Sequence, residues 1–472
     1  MRVEWDSLVW LEYDIRPLDA RAGRGGCMKP RELVLKVAGF AGGVITVALM
    51  TWAAGWTGAQ VLAITIFLGF ILGTLLFWQF RLGFAMVGVL ALLATGVLDV
   101  PHLIEFASLD VILFLIGMMI VIAFLEKRRF FEVMVERILR RVDRRAWHLL
   151  TAFMVMGAVS AALVDEVTSI LFMTAVGLQL TRRFKLDPVP IVIMLVFATN
   201  IGSSATVVGN PIGVMIALRA GLTFTDFLRT ATPIATGVLL LAIPLSFLAF
   251  PGALRSLALA LREHRERVPI PIERMSRRDF RISMLVFGVT ILGLVFHHPL
   301  EAWLGLGRNS LLVGVPLGAG GLAILLEGAG ARDLVERKVD WWTLCFFMLL
   351  FASAGTLRYT GVTGRIAEGF LALTGGNSTG LLVSVTWGSG ILSAFLDNVL
   401  AVATVIPVLS DLGQLGHDLG PLWWGLLFGG TLLGNLTLIG STANIVALGI
   451  LERDEKIHMS FLRWLRPGLI VA

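Results

Sequence analysis

Charge and cysteine are scarce in this sequence, and both shortages exclude classes of protein. Only 15% of the 472 residues are charged, whereas an ordinary soluble domain carries about 25%. The two cysteines, Cys27 and Cys345, cannot supply a disulfide framework, a CxxC redox pair or a thiolate metal site. No GxxxxGK[ST] phosphate loop occurs, so only a separate ATPase subunit is left open as a source of ATP-driven transport. We therefore expect no enzyme, no catalytic residues, no metal site and no organic cofactor.

Long apolar runs make up most of the chain. Hydrophobic residues account for 57% of it, the mean hydropathy is +0.85, and runs of 16 to 24 apolar residues recur between about residues 33 and 451. Each run is about long enough to cross a hydrocarbon core of about 30 Å. The runs are continuously apolar rather than alternating, which indicates helices and not a barrel. The sequence predicts an all-α polytopic protein of the lipid bilayer with about 10 to 11 spans.

The basic residues predict the orientation of the chain. The lysines and arginines that give the net charge of +6 lie in short loops. The positive-inside rule requires this of a membrane protein, so the charge is no sign of nucleic-acid binding. The most basic stretches are residues 126–145, 181–187 and 255–281, and we expect all three in the cytoplasm. The N-terminus is then also cytoplasmic, in a multi-pass protein of the cell's inner or plasma membrane.

Residues 147–180 predict a re-entrant hairpin. Basic loops flank both ends, and Asp165-Glu166 interrupts the centre, leaving two arms of 14 to 17 residues. Non-helical backbone at membrane depth is tolerated only where it is buried in protein or lines a cavity, so the tip is a candidate site. Two short full spans joined by a polar external turn are the alternative.

The chain matches itself at an offset near 231 residues, where Asp165 pairs with Asp397 and Gly209 with Gly440. An odd number of spans separates the two copies, so we expect them to be inverted, each with a re-entrant hairpin and a broken transmembrane helix. Secondary transporters have this architecture. The predicted organisation is a cytoplasmic N-terminal segment (1–32), an extra span (33–58), a first repeat (59–251), a basic cytoplasmic linker (252–281) and a second repeat (282–472). The last helix of the second repeat is expected to be truncated relative to the first.

Four polar clusters interrupt the apolar sequence and are the candidate ion- and substrate-binding sites. An aspartate at a helix centre costs on the order of 2.5 to 3.5 kcal/mol on insertion scales, so it normally faces a cavity, a partner or an ion. Unwound backbone exposes carbonyls to cations and N–H groups to anions. The candidates at the hairpin tips are Asp165, Glu166, Thr168, Asp397 and Asn398. Those in the broken helices are Asn200, Gly202, Ser203, Thr206, Asn210, Asn435, Thr437, Ser441 and Asn444.

Both kinds of cluster also have a structural interpretation. Asp165 and Asp397 can cap the helix arm that follows each of them. Runs of glycine, serine and threonine can simply let membrane helices pack closely. We favour binding because both runs recur at the repeat offset, each beside a carboxylate-bearing hairpin.

These clusters resemble the ion transporter superfamily, in the branch that holds arsenite permeases, D-type sodium/proton antiporters and the pink-eyed-dilution protein, with a citrate transporter-like domain. The resemblance spans about residues 60–466. The hairpin tips of that branch typically read Asp-Asn-Val-Thr and Leu-Asp-Asn-Val-Pro; here they are Asp165-Glu166-Val167-Thr168 and Leu396-Asp397-Asn398-Val399-Leu400. Its first broken helix typically reads Ser-Asn-Ile-Gly-Gly and Gly-Asp-Pro-Pro-Asn, here Thr199-Asn200-Ile201-Gly202-Ser203 and Gly209-Asn210-Pro211-Ile212-Gly213. The second matches from Gly434 to Asn444 except at Ser441 and Thr442.

The resemblance implies eleven spans with two opposed hairpins, a homodimer, and a transport domain that moves past a scaffold. The departures bear on the solute. Glu166 replaces the usual Asn, Asn210 the usual Asp and Gly213 the usual Asn, so one carboxylate is relocated within the first half. A site with three carboxylates would repel a dicarboxylate, which favours a cation, protons or a neutral solute such as arsenous acid.

The sequence therefore predicts a secondary active transporter that exports a small inorganic ion or oxyanion of the arsenite or antimonite type by alternating access. H+ or Na+ would be the coupling ion. A sodium/proton antiporter is the alternative that the same residues serve. A passive channel, or a membrane subunit that needs a partner ATPase, belongs to another class, and a membrane scaffold without transport activity is a third.

Overall fold

A computed structural model gives the fold for residues 30–139, 145–263 and 275–472. Within these ranges the regular structure is helical throughout, with no strand. Most of the predicted N-terminal segment and parts of two predicted cytoplasmic stretches, namely residues 1–29, 140–144 and 264–274, lie outside the described residues. Their predicted position stays a prediction.

The first half begins with one long helix, which packs on the next, and continues as a series of apolar helices. The first of them, α2, starts at a capping box in which the Thr57 side chain accepts from the Gln60 backbone. The helices of this part are α1 (Pro30–Ala53), α2 (Gly58–Leu76), α3 (Arg81–Ala94), α4 (Val100–Phe106), α5 (Leu109–Lys127) and α6 (Phe130–Leu139). The next are α7 (Ala146–Leu163), α8 (Glu166–Phe184), α9 (Pro188–Ser203), α10 (Pro211–Ala220), α11 (Phe224–Asp226), α12 (Thr232–Ala249) and α13 (Pro251–Glu263).

The second half follows the segment that the structure leaves undescribed. Its helices are α14 (Arg277–Val295), α15 (His297–Leu304), α16 (Ser310–Glu327), α17 (Ala331–Glu336), α18 (Trp341–Tyr359) and α19 (Val362–Thr374). They continue as α20 (Ser378–Phe395), α21 (Asn398–Gln414), α22 (Gly420–Leu432), α23 (Thr442–Glu455) and α24 (Phe461–Val471). The breaks between α7 and α8 and between α20 and α21 fall at the predicted hairpin tips. Those between α9 and α10 and between α22 and α23 fall in the predicted broken helices.

The lengths and apolar composition of the helices fit a polytopic membrane protein. Among the described residues, eight helical stretches are long and apolar enough to cross a membrane, or nine if α14 and α15, bent by 68°, form one span. This agrees with the predicted fold class. The predicted number of spans stays a prediction, because shorter apolar helices such as α9, α10 and α21 fall outside that count. The inverted relation of the two copies also stays a prediction.

Glycines set the closest helix crossings. A Cβ at Gly202 of α9 would clash with the backbone of Ala158 in α7, and a Cβ at Gly429 of α22 would clash with the Thr386 carbonyl in α20. The first hairpin arm and the broken helix therefore pack at backbone contact in both halves. Between the halves, α5 crosses α16 at Gly117, where a Cβ would lie 2.5 Å from the Pro316 carbonyl carbon.

Candidate functional site

The first hairpin tip is the break between α7 and α8. Asp165 is the N-cap of α8, and its Oδ1 accepts a hydrogen bond from the Thr168 backbone N–H at 2.8 Å. The Glu166 N–H donates to the Gly209 carbonyl at 3.0 Å, which ties the tip to the first broken helix. The capping role considered for Asp165 is therefore present, and Thr168 contributes its backbone to it.

The second tip repeats this arrangement. Asp397 is the N-cap of α21, and its Oδ1 accepts from the Val399 N–H at 3.0 Å. Its Oδ2 accepts from the Thr442 hydroxyl at 2.7 Å, so this tip is also tied to a broken helix. Sequence reasoning missed Thr442, although its place beside Ser441 in the second polar run was the signal.

The first broken helix is interrupted after Ser203 and restarts at Pro211. Asn210 caps α10, since its Oδ1 accepts from the Gly213 N–H at 2.8 Å. Gly209 is required here because a Cβ would clash with the Ser203 backbone. Proline at the first helical position restarts the helix without an unsatisfied N–H.

The second broken helix has the same plan. After α22 the chain makes one tight turn, Leu433–Asn435, and runs without helix to Ser441, which caps α23 by accepting from the Ala443 N–H at 3.2 Å. A Cβ at Gly440 would lie 2.6 Å from the Gly434 carbonyl oxygen. Gly209 and Gly440 therefore allow the chain segments on either side of each interruption to make backbone contact.

Three of the predicted site residues hold backbone in place. The hydroxyls of Thr206 and Thr437 donate to the carbonyls of Ala162 and Ala394, each at the end of the first arm of a hairpin. Gly202 permits the crossing of α7 and α9. Their role in the structure is the close packing that was considered as the alternative to binding.

A carboxylate cluster joins the two hairpin tips. The Glu166 Oε2 accepts from the Ser203 hydroxyl at 3.1 Å, and its Oε1 accepts from the Asn398 amide of the other half at 3.2 Å. Asp165 and Asp397 lie near enough for their charges to act on Glu166. Within the part of the chain that the structure describes, no ion pair involves any of these three carboxylates.

An amide cluster joins the two broken helices. The Asn200 Nδ2 donates to the Oδ1 atoms of Asn435 and Asn444 at 2.7 and 2.9 Å, and its Oδ1 accepts from the Ser441 hydroxyl at 3.1 Å. The Asn444 Nδ2 donates to the carbonyls of Gly434 and Thr437, both at 2.8 Å. The four polar side chains are fully or almost fully buried. The structure thus brings residues from all four predicted clusters to one place.

Trp464 is a residue of this region that sequence reasoning did not select. It is fully buried in α24, and its indole N–H donates to the Asn435 carbonyl at 3.0 Å. Its signal was its position next to Phe461-Leu462-Arg463, a segment that matches Phe227-Leu228-Arg229 at an offset of 234 residues, close to that of the repeat. This hydrogen bond fixes the backbone of Asn435, whose side chain contacts Asn200.

The chemistry of this region is that of carboxylates, amides and hydroxyls. Among the described residues, no group of three or more His, Cys, Asp and Glu side chains is arranged to hold a metal ion. Carboxylate, amide and carbonyl oxygens can all accept hydrogen bonds from hydroxyl groups.

Comparisons with known proteins find one family and several curated relatives. The family model described as citrate transporter matches residues 75–429 and 354–472. An uncharacterized transporter of Mycobacterium tuberculosis is 33% identical over 377 residues, covering 77% of this chain and 83% of that protein. The 46 kDa membrane protein of Mycobacterium leprae is 34% identical over 373 residues, with 77% and 83% covered. The P protein of Homo sapiens is 27% identical over 461 residues, which cover 81% of this chain and 55% of that protein.

A solved structure supports the fold. The YdaH transporter of Alcanivorax borkumensis, whose topology is described as unusual, superposes with a TM-score of 0.52 at 16% identity and covers 79% of this chain and 84% of its own. At that identity the likeness concerns the fold alone. The family and the relatives together identify a membrane transporter rather than an enzyme, as the sequence predicts.

Proposed function

Because the chain belongs to the citrate transporter family, we propose that it is a secondary active transporter that exchanges a small neutral inorganic solute for protons. The solute class is an arsenite- or antimonite-type hydroxy acid. Alternating access would expose the carboxylate and amide clusters to either side of the membrane in turn. The protein would lie in the plasma or inner membrane with its N-terminus in the cytoplasm and act as a homodimer.

The observation that carries this proposal is the composition of the buried site. Glu166, Asp397 and Asp165 meet amides and hydroxyls but no cationic side chain among the described residues. A citrate anion would enter beside three carboxylates, and repulsion between the like charges would disfavour its binding. A neutral hydroxy acid instead finds acceptor oxygens for its hydroxyl groups, and the carboxylates can carry the coupling protons.

A sodium/proton antiporter is the second candidate. An interrupted helix next to Asp397, whose Thr442 hydroxyl bonds that carboxylate, also suits a small cation. Sodium-dependent proton flux that persists without arsenite would favour this candidate. Flux that runs downhill without any coupling ion, or only with a partner ATPase, would instead favour a channel or a subunit of a larger machine.

The test is uptake into everted membrane vesicles with an imposed inside-acid pH gradient, comparing arsenite, sodium and citrate. We expect arsenite accumulation in the wild type and at least about a tenfold loss in Asp397→Asn and Asp165→Asn, because one proton-carrying group is removed. Asp418→Asn is the matched control, since Asp418 is exposed and only caps the turn before α22. Folded wild type that moves neither arsenite nor sodium would overturn both candidates.

A further inference from the structure

Three departures from the transporter pattern meet at one hydroxyl group. Glu166 stands where that pattern has Asn, Ser203 where it has its second Gly, and Asn210 where it has Asp. The Ser203 Oγ lies 3.1 Å from the Glu166 Oε2 and 2.9 Å from the Asn210 Nδ2. Relative to the pattern, the acidic side chain is therefore at position 166 instead of position 210. Both positions contact residue 203, whose side chain here carries a hydroxyl group.

The Ser203 hydroxyl has one hydrogen and two acceptors within reach. Besides Glu166, the carbonyl oxygen of Asn200 lies 3.0 Å from the Ser203 Oγ. Asn210 donates to the same oxygen. Because the Ser203 hydroxyl has only one hydrogen, it can donate to only one of the two acceptors at a time. When Glu166 is ionised the acceptors compete. When Glu166 is protonated it donates to the Ser203 Oγ, the hydroxyl donates to Asn200, and all three contacts are satisfied.

The Asn200 carbonyl accepts from the Ser203 hydroxyl because Asn200 lies in the last turn of α9, which ends at Ser203. In a continued helix its donor would be the Ser204 N–H, which instead donates to the Ile201 carbonyl at 3.3 Å. The carbonyls of the last helical turn are the ones left without a helical donor. The side chain of the same Asn200 is the centre of the amide cluster.

We propose that the Ser203 hydroxyl relays the protonation state of Glu166 to the solute site. Ionised Glu166 draws the hydroxyl hydrogen and leaves the Asn200 carbonyl free to accept a hydrogen bond from a hydroxyl group of the solute. A proton taken up by Glu166 returns the hydroxyl hydrogen to that carbonyl. Proton and solute then bind alternately, as exchange requires. This relay rests on the proposed function, and it makes Ser203 a positioning residue rather than a proton carrier.

The charges around Glu166 are carboxylates of the same cluster. Asp165 precedes it on α8, and Asp397 faces it from the second tip. Among the described helices, α7, α9 and α23 pack most extensively on α8. Of these, α9 has no titratable side chain, and α7 has only His148, in its first turn. The titratable side chains of α23 are residues 452–455, in its last turns. The relay requires a change in the protonation of Glu166 alone, and the nearest charged groups to it are the carboxylates of Asp165 and Asp397.

The first test measures arsenite exchange by the full chain in proteoliposomes as a function of pH. In the wild type the apparent arsenite affinity should change by up to about tenfold per pH unit where one proton competes, and in Ser203→Ala by less than about twofold over the same range. Ser204→Ala is the matched control, because that neighbouring hydroxyl donates to Ile201 and not to Glu166. A pH dependence that survives in Ser203→Ala overturns the relay and leaves the proposed function standing.

The second test needs no solute. Infrared difference spectra between acid and alkaline buffer would be recorded on lipid-reconstituted protein with isotope-labelled asparagine backbone carbonyls. We expect a shifted labelled carbonyl band in the wild type and in Ser204→Ala, and none in Glu166→Gln or Ser203→Ala. The relay fails if Ser203→Ala keeps the shift. If the shifts appear as expected but arsenite is not moved, the relay stands and the proposed solute is wrong. Ser203→Cys, a poorer donor of similar size, replaces the alanine variant if the latter unfolds.

Discussion

At the scale of single residues, the distinguishing feature of this protein is the position of one carboxylate. Glu166 contacts Asn398 from the other half and Ser203 from the first broken helix. Asn210, where the transporter pattern has the acid, reaches the same Ser203 oxygen at 2.9 Å. Positions 166 and 210 therefore flank one hydroxyl, and a charge at either position can act on it.

The exchange of these two side chains is the first prediction. Glu166→Asn alone should lower transport at least about tenfold, because a buried carboxyl group with no substitute is removed from the site. The double variant Glu166→Asn/Asn210→Asp should recover transport to within about threefold of the wild type, because the carboxylate again lies beside Ser203. Initial rates of arsenite uptake in vesicles measure both effects.

The control for this exchange places the acid elsewhere. Glu166→Asn/Asn435→Asp has the same composition, but Asn435 contacts Asn200 and not Ser203. We expect no recovery in it. Equal recovery in the two double variants would show that only the number of acids matters and not their position.

At the scale of elements, the crossings of hairpin arms and broken helices set the geometry of the site. Gly202→Ala is the second prediction: its Cβ would clash with backbone at Ala158, which cannot move aside as a flexible side chain would. Overpacking typically costs about 1 to 3 kcal/mol, so the thermal unfolding midpoint in detergent should fall. Gly237→Ala in α12 is the control, because no atom of the described part of the chain lies within 4 Å of its Cβ. An unchanged midpoint for Gly202→Ala would mean that α7 and α9 do not cross as closely as described.

The short helix α6 gives a prediction about pH, since it is not among the candidate spans. Burial raises the pKa of Glu132 above its ordinary value, and its Oε2 has no hydrogen-bond partner among the described residues. The folded state then holds a proton that the unfolded state has lost, so stability falls as pH rises from the ordinary value through the raised one. Glu132→Gln should remove this loss, and the difference in unfolding midpoint should grow with pH over that interval. Glu105→Gln, on an exposed side chain of α4, should show no such trend, and a trend of equal size in both variants would contradict the prediction.

The elements were largely predictable and the contacts between them were not. Runs of glycine, proline and hydroxyl residues interrupt helices by local backbone chemistry, so the breaks after Leu163 and Ser203 follow from the sequence. The pairing of Asn200 with Asn435 and Asn444 joins helices far apart in the chain. Helices that are apolar on all sides have no periodicity to show which face meets which neighbour.

At the scale of the whole molecule, the two halves share one internal arrangement. Each has a hairpin whose second arm is capped by an aspartate, a threonine that donates to the end of the first arm, and a helix interrupted at a glycine. The site forms where the two halves meet, since Glu166 and Asn200 both have partners in the second half. A site between two inverted repeats is one arrangement through which secondary transporters open to opposite sides of the membrane in turn.

Inversion predicts opposite sidedness for equivalent residues. Arg183, in the last turn of α8, and Gln414, at the end of α21, are both exposed and lie 231 residues apart. In a background with Cys27→Ser and Cys345→Ser, Arg183→Cys should react with a membrane-impermeant maleimide only in everted vesicles, because its basic loop is expected in the cytoplasm. Gln414→Cys should react only in right-side-out vesicles, and a permeant maleimide should label both in either preparation. Labelling of both from the same side would show parallel copies, and alternating access through two opposed hairpins would then be impossible.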